Sequence, residues 1–195
     1  MITGLLLLAG CSSIQKVVQQ PLPYHNKLQL RDISSVDMIV IHCTELPTLE
    51  LSREFGETVH YKSGTGNSGH YYIDKDGVVY QYVADNRVAN HVRGHNEHSI
   101  GIEIINNGRY PDWYTTGSQQ NVEAYTPQQV HSVIKLVHRL SEQYPSIRNI
   151  AGHQELDQSL MPSSDDPNIK IRRKVDPGPL FPWAQLMSTV ELSKR

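Results

Sequence analysis

His42, His153 and Asp176 lie far apart in the chain, yet their types suit a single divalent ion. Catalytic zinc sites take three protein ligands from histidine, cysteine and carboxylate side chains and leave one position open for water or substrate. Such ligands work best at strand ends or on braced loops, where a rigid sheet can aim them. His42 closes the apolar run 36–42 (VDMIVIH), and His153 follows the short stretch 147–150 and a glycine. Asp176 stands in KVDPGP, where prolines stiffen the loop. Ten histidines in 195 residues is a high count for the commonest metal ligand, which also titrates near neutrality. Spacing supports the set only weakly, since these three residues are scattered along the chain and do not form an HxxxH helix motif. Taken singly, each histidine is better explained as a hydrogen-bonded structural residue.

The elements that must position these residues read as a mixed α/β pattern. The run 36–42 is nearly unbroken apolar and β-branched, as in a strand buried on both faces, and ends on the polar cluster His42, Cys43, Thr44, Glu45. Leu51, Phe55 and Val59 give helical spacing over 49–60, and the Gly-rich stretch 63–69 reads as a loop. Two β-rich runs, 70–74 and 78–83, meet across Lys75-Asp76-Gly77 as a hairpin. In 99–106 (SIGIEIIN) the alternation sets Ile100, Ile102 and Ile104 on one face and aims Glu103 to the other. Thr126, Pro127 and Gln129 form a capping box for a helix ending before Pro145, with Val130, Val133, Ile134, Val137 and Leu140 as its buried stripe. A short strand over 147–150 and a terminal helix over 183–192 complete the pattern. Interleaved strands and helices without internal repeat predict one domain with a central mixed β-sheet flanked by helices.

Charge and cysteine usage narrow the partners. With 18 basic against 20 acidic residues, a net charge of -2 and no Lys/Arg block, the chain has nothing to track a phosphate backbone, so nucleic acid is not an expected partner. Two cysteines, Cys11 and Cys43, exclude a disulfide framework. The apolar run 5–8 leads into Leu8-Ala9-Gly10-Cys11, followed by Ser12 and Ser13. This resembles the lipobox of bacterial lipoproteins, although no Lys or Arg precedes the run. It implies a signal peptide over 1–10, lipidation of Cys11, a lipidated tether over 11–30 and a catalytic domain over 31–195. The run is too short to cross a ~30 Å hydrocarbon core as a helix. Ser after the cysteine resembles the outer-membrane sorting pattern, which implies an envelope protein anchored in the outer membrane and facing the periplasm.

IVIHCTE, SGHYYIDKDG, NHVRG, SIGIEI, AGHQ and KVDPGPLFPW occur in this order. Together they resemble the AmpD-type N-acetylmuramoyl-L-alanine amidases, the amidase-2 family, which is related to the peptidoglycan recognition proteins. The resemblance spans roughly residues 36–183, and KxDPGPxFPW is its most specific piece. It implies one zinc ion held by His42, His153 and Asp176, a catalytic Glu103, and Lys174 facing the scissile carbonyl. It implies a peptidoglycan or muropeptide substrate cut between N-acetylmuramic acid and L-alanine. Cys43, Thr44 and His91 are the expected substrate contacts, with a buried small hydrophobe as the other reading of Cys43 and a structural loop residue as the other reading of His91. His70, His131 and His138 are assigned no catalytic role. The connection 154–175 is longer than in most such amidases; its Asp157, Asp165 and Asp166 lack the bracing that follows Asp176, and the segment is expected to shape the groove. Two other functions fit less well: a non-catalytic peptidoglycan-binding module, which typically lacks a zinc ligand, and a zinc amidase acting on another bond of the stem peptide.

Overall fold

The computed structural model describes residues 15–120 and 123–195. Nine strands and four α-helices are described: β1 (Val17–Gln19), β2 (Met38–Cys43), α1 (Leu49–Glu57), β3 (Tyr71–Ile73), β4 (Val79–Gln81), β5 (Ser99–Ile104), α2 (Pro127–Gln143), β6 (Asn149–Gly152), α3 (His153–Leu156), β7 (Leu160–Pro162), β8 (Lys170–Arg172), α4 (Trp183–Met187) and β9 (Ser193–Lys194). The main sheet runs β1-β4-β3-β5-β2-β6-β9, with β7 and β8 as a separate antiparallel pair. Every pairing in the main sheet is parallel except β3 with β4. This is the mixed sheet expected from the interleaved pattern.

All six residues of β2 are buried, as its unbroken apolar sequence requires of a central parallel strand. One face of β2 and β5 carries Ile39, Ile41, Ile100, Ile102 and Ile104 into a cluster with Val133, Leu136, Val137 and Leu140 of α2. Burial of each such side chain contributes roughly 1.5–3 kcal/mol. The helix starts where the capping box sets it: Thr126 Oγ1 accepts from Gln129 N at 3.1 Å, and Gln129 Oε1 accepts from Thr126 N at 3.0 Å. The opposite sheet face presents Met38, Val40 and Ala151, which cluster with Val92 of a neighbouring loop. That side is left open for the site.

Three stretches differ from expectation. Residues 17–30, expected to be tether, belong to the fold: β1 pairs with β4, and Leu22, Tyr24 and Leu28 are buried against Tyr82 and Val83. Tyr24 Oη donates to Gly56 O at 2.5 Å, so the domain begins at or before β1 and not at residue 31. The connection 154–175 holds α3 and the β7–β8 hairpin. The terminal helix stops at Met187, and β9 adds an edge strand beside β6. The lipobox and Cys11 lie outside the described residues. No described helix is long and apolar enough to cross a membrane.

Candidate metal centre and cleft

Three adjacent parallel strands, β5, β2 and β6, end at the same edge of the sheet, where ligand sites form in open α/β sheets. His42 is the penultimate residue of β2 and Glu103 its register partner on β5, so both side chains leave the same sheet face. His153 opens α3 directly after Gly152, the last residue of β6. A Cβ on Gly152 would collide with Glu155 Oε2 and meet Pro177 Cδ at 2.7 Å, so glycine lets the Asp176 loop pack against the strand. Asp176 O accepts from Gln154 N at 2.9 Å, and Pro177 O accepts from the Tyr125 hydroxyl at 2.7 Å. The loop is thereby tied at Asp176 itself and at the residue after it.

These elements bring His42, His153 and Asp176 together, with one ligand atom of each within 4.8 Å of the others and all three residues buried. His42 Nδ1 lies 3.0 Å from His153 Nδ1 and 3.0 Å from Asp176 Oδ2, and His153 Nδ1 lies 3.1 Å from Asp176 Oδ2. Three donors sharing one zinc at ~2.0–2.1 Å in tetrahedral geometry would stand about 3.3 Å apart, so the cluster fits that ion. As hydrogen bonding alone the arrangement is poor: the buried Asp176 Oδ1 and His153 Nε2 have no hydrogen-bond partner among the described residues, an exception in folded proteins that calls for an ion or water. Burial pushes the His42 imidazole down to about 4, against the hydrogen bond to Asp176 that works to raise it. Burial also works to raise the Asp176 carboxyl, but the attraction and hydrogen bond of His153, with the hydrogen bond from His42, outweigh it and hold the carboxyl well below its usual range. A neutral imidazole and an ionised carboxylate are the protonation states that metal ligation requires.

The donors open onto a cleft of about 730 Å³ whose lining includes Glu103, Lys174, Thr44 and Trp113. Burial, reinforced by repulsion from Asp176, raises the Glu103 carboxyl to about 8, with Lys174 offsetting part of the rise. Gly69 makes room for it, since a Cβ there would meet Glu103 Cγ at 2.6 Å. Lys174 is half-buried on the same wall. Thr44 Oγ1 donates toward Leu46 O at 3.2 Å and accepts from Leu46 N at 3.3 Å, so its hydroxyl is engaged in a turn. Cys43 takes a different place from the one expected: next to His42 on a strand, it faces the other way and packs in the α2 cluster with Tyr125 and Phe181. Burial pushes its thiol far up, which suits a core residue. His91 stands against a ligand, with Nδ1 3.0 Å from His42 Nε2.

Sequence reasoning missed the framework around the Asp176 loop. Arg109 donates to Glu45 from Nε at 2.6 Å and from Nη2 at 2.9 Å. It also reaches Arg172 O at 3.2 Å and Arg173 O at 3.1 Å, just before Lys174. Both partners of the pair are buried. Glu45 was visible only as part of a polar cluster, and Arg109 lies in an irregular segment without periodicity. Arg109→Met leaves the Glu45 carboxylate buried and alone, which costs ~3–5 kcal/mol; urea unfolding should read that loss, and an unchanged midpoint would mean the pair does not brace the loop. The connection 154–175 backs the same wall: Ser164 N and Ser163 Oγ donate to Tyr114 O at 2.7 and 2.8 Å, and Thr116 N donates to Asp165 at 2.9 Å. Asp165 and Asp157 are engaged there, the latter paired with Arg173, and Asp166 caps a turn through Asn168 N at 3.0 Å.

A mixed α/β sheet bearing a three-donor metal cluster and a half-buried carboxylate at its strand ends defines a metallohydrolase-like class of site. Residues 32–179 match the family model described as N-acetylmuramoyl-L-alanine amidase, and the chain belongs to that family. It is 25% identical over 205 residues to N-acetylmuramoyl-L-alanine amidase AmiD of Escherichia coli (strain K12), covering 95% of this chain and 65% of the relative. It is 30% identical over 148 residues to 1,6-anhydro-N-acetylmuramyl-L-alanine amidase AmpD of Salmonella typhimurium (strain SL1344), covering 71% and 63%. The chain thus spans just under two thirds of the length of these curated relatives. Among solved structures, N-acetylmuramoyl-L-alanine amidase LysC from Clostridium intestinale has the same fold, with TM-score 0.65, 23% identity, and coverage of 91% of this chain and 99% of that one.

Proposed function

We propose that the protein is a zinc-dependent hydrolase of the amide bond between N-acetylmuramic acid and L-alanine in peptidoglycan or muropeptides. The observation that carries this reading is Glu103, a half-buried carboxylate on the same cleft face as three converging metal donors, in a chain of the amidase family. The choice of bond rests on the AmiD and AmpD relatives, which are named as amidases of N-acetylmuramoyl-L-alanine and 1,6-anhydro-N-acetylmuramyl-L-alanine. His42, His153 and Asp176 would hold the zinc ion, which supplies a Lewis acid and lowers the pKa of a water toward ~7. Glu103 accepts the proton of the attacking water, a task suited to a carboxyl raised to about 8 by burial. It then returns that proton to the departing L-alanine amine. The Lys174 ammonium, on the same cleft, stabilises negative charge growing on the amide oxygen. A complete donor set beside a proton carrier favours the enzyme over a binding module. Incubation with a defined muropeptide and mass spectrometry of the products tests this: free stem peptide beginning at L-alanine is expected, whereas cleavage within the stem, or no cleavage, contradicts it.

The envelope location belongs to the same proposal, supported by Leu8-Ala9-Gly10-Cys11 and the two serines after it. Cys11 carries the lipid, and the domain faces the periplasm from the outer membrane. Cys11→Ala should shift the protein to the soluble periplasmic fraction on cell fractionation. Retention of that variant in the membranes would remove the anchor from the account.

A further inference from the structure

The two histidines of the metal cluster are not supported alike. His153 Nε2 is buried with no hydrogen-bond partner among the described residues, while His42 Nε2 meets His91 Nδ1 at 3.0 Å. His91 Nε2 in turn meets Ser99 Oγ at 3.2 Å, and Ser99 Oγ donates to His95 O at 2.7 Å. We infer that His91 is a positioning residue: with Ser99 it fixes which nitrogen of His42 carries the proton and keeps the other free for the metal. This rests on the zinc site proposed above.

The direction of the chain follows from counting protons. A backbone carbonyl only accepts, so the Ser99 hydroxyl spends its single hydrogen on His95 O. Ser99 Oγ can then only accept from His91, which puts the His91 proton on Nε2. A neutral imidazole has one N–H, so His91 Nδ1 is an acceptor and is placed to receive the proton of His42 Nε2 at 3.0 Å. His42 Nδ1 lies 3.0 Å from both His153 Nδ1 and Asp176 Oδ2, so in the metal-free protein the Asp176 carboxylate competes with His91 for the His42 proton; held on Nε2 by His91, that proton leaves the Nδ1 lone pair facing the converging donors. A metal-bound imidazole is commonly oriented in this way by a partner on its other nitrogen.

The fold holds His91 for this task. Its backbone N–H and that of Val92 both donate to Asn96 Oδ1, at 3.0 and 2.8 Å. Its ring lies over Gly101 of β5, where a Cβ would come within 2.6 Å of Nδ1 and 2.7 Å of Cγ. Any larger residue at 101 would push the ring off His42. The His42 and His91 rings meet edge to face, with centroids 5.1 Å apart. The ring is thus fixed by its backbone, by the glycine beneath it and by both nitrogens.

The test compares the wild type, His91→Ala, His91→Asn and Ser99→Ala, all on the full chain. The asparagine carbonyl stands near the place of Nδ1 and keeps an acceptor for His42. Two readouts are needed: zinc affinity by chelator competition, and the His42 tautomer by nitrogen-15 NMR of the metal-free protein. The wild type should show His42 protonated on Nε2. His91→Ala should lose that single tautomer and bind zinc ~10–100-fold more weakly, Asn should recover most of the affinity, and Ser99→Ala should loosen the tautomer with His91 still in place. An unchanged His42 tautomer and unchanged zinc affinity in both His91→Ala and Ser99→Ala would overturn the inference. Failure of the wild type to bind zinc would instead sink the proposed function, while the metal-free tautomer comparison would still decide the role of His91.

Discussion

Glu103→Ala lowers turnover by ~10²–10⁴ while the protein still binds one zinc per chain. The separation of the two effects is the point: Glu103 sits one strand away from His42 and shares its sheet face, but contributes none of the three converging donor atoms. Glu103→Gln keeps the shape and removes the proton acceptor, so it should be nearly as inactive. A second consequence concerns stability. The Glu103 carboxyl is raised to about 8 by burial, from an ordinary 4.5. Between those values the unfolded chain has released the proton and the folded metal-free chain retains it, so folding stability falls as pH rises across that window and is not affected by this group below it. Glu103→Gln removes that decline. The melting temperature of the zinc-stripped variant should therefore exceed that of the stripped parent at pH 8, with little difference at pH 4. An active Glu103→Ala enzyme would take the residue out of the mechanism.

Asp176→Ala abolishes stoichiometric zinc binding and, with it, activity. Two neutral imidazoles remain, but the only anionic donor of the cluster is gone, and the buried carboxylate oxygen that lacked a partner goes with it. Because Gln154 N and the Tyr125 hydroxyl hold backbone carbonyls of the loop, not the carboxylate, the variant should fold, and circular dichroism should match the parent. Chelation of the parent should give the same inactive state, reversed by added zinc. Full activity of Asp176→Ala with zinc retained would point to a different ligand set.

Much of this site was legible residue by residue. His42 could be read as the polar end of a buried strand, and Glu103 from an alternation that aims it away from three isoleucines. The α2 helix was legible because Thr126 and Gln129 encode its start locally. The same alternation, applied one residue past His42, would have turned Cys43 toward the α2 core, where it lies. Other features depend on tertiary contacts that leave no period in the chain. Leu22, Tyr24 and Leu28 sit among prolines and polar residues, and only pairing of β1 with β4 and the α1 carbonyl that receives Tyr24 draw them inside. The Glu45–Arg109 pair joins residues 64 apart in sequence, and neither signals the other. The two-residue β9 is defined by β6 beside it. Asp176 was singled out by its stiff surroundings, while its convergence with two distant histidines required the fold.

The most direct test of the account is a crystal structure of the zinc-loaded protein with an anomalous difference map collected at the zinc edge. One peak ~2.0–2.1 Å from His42 Nδ1, His153 Nδ1 and Asp176 Oδ2 is the predicted result. A peak that omits any of these three atoms, or no peak in a protein that cleaves the muropeptide, would contradict it.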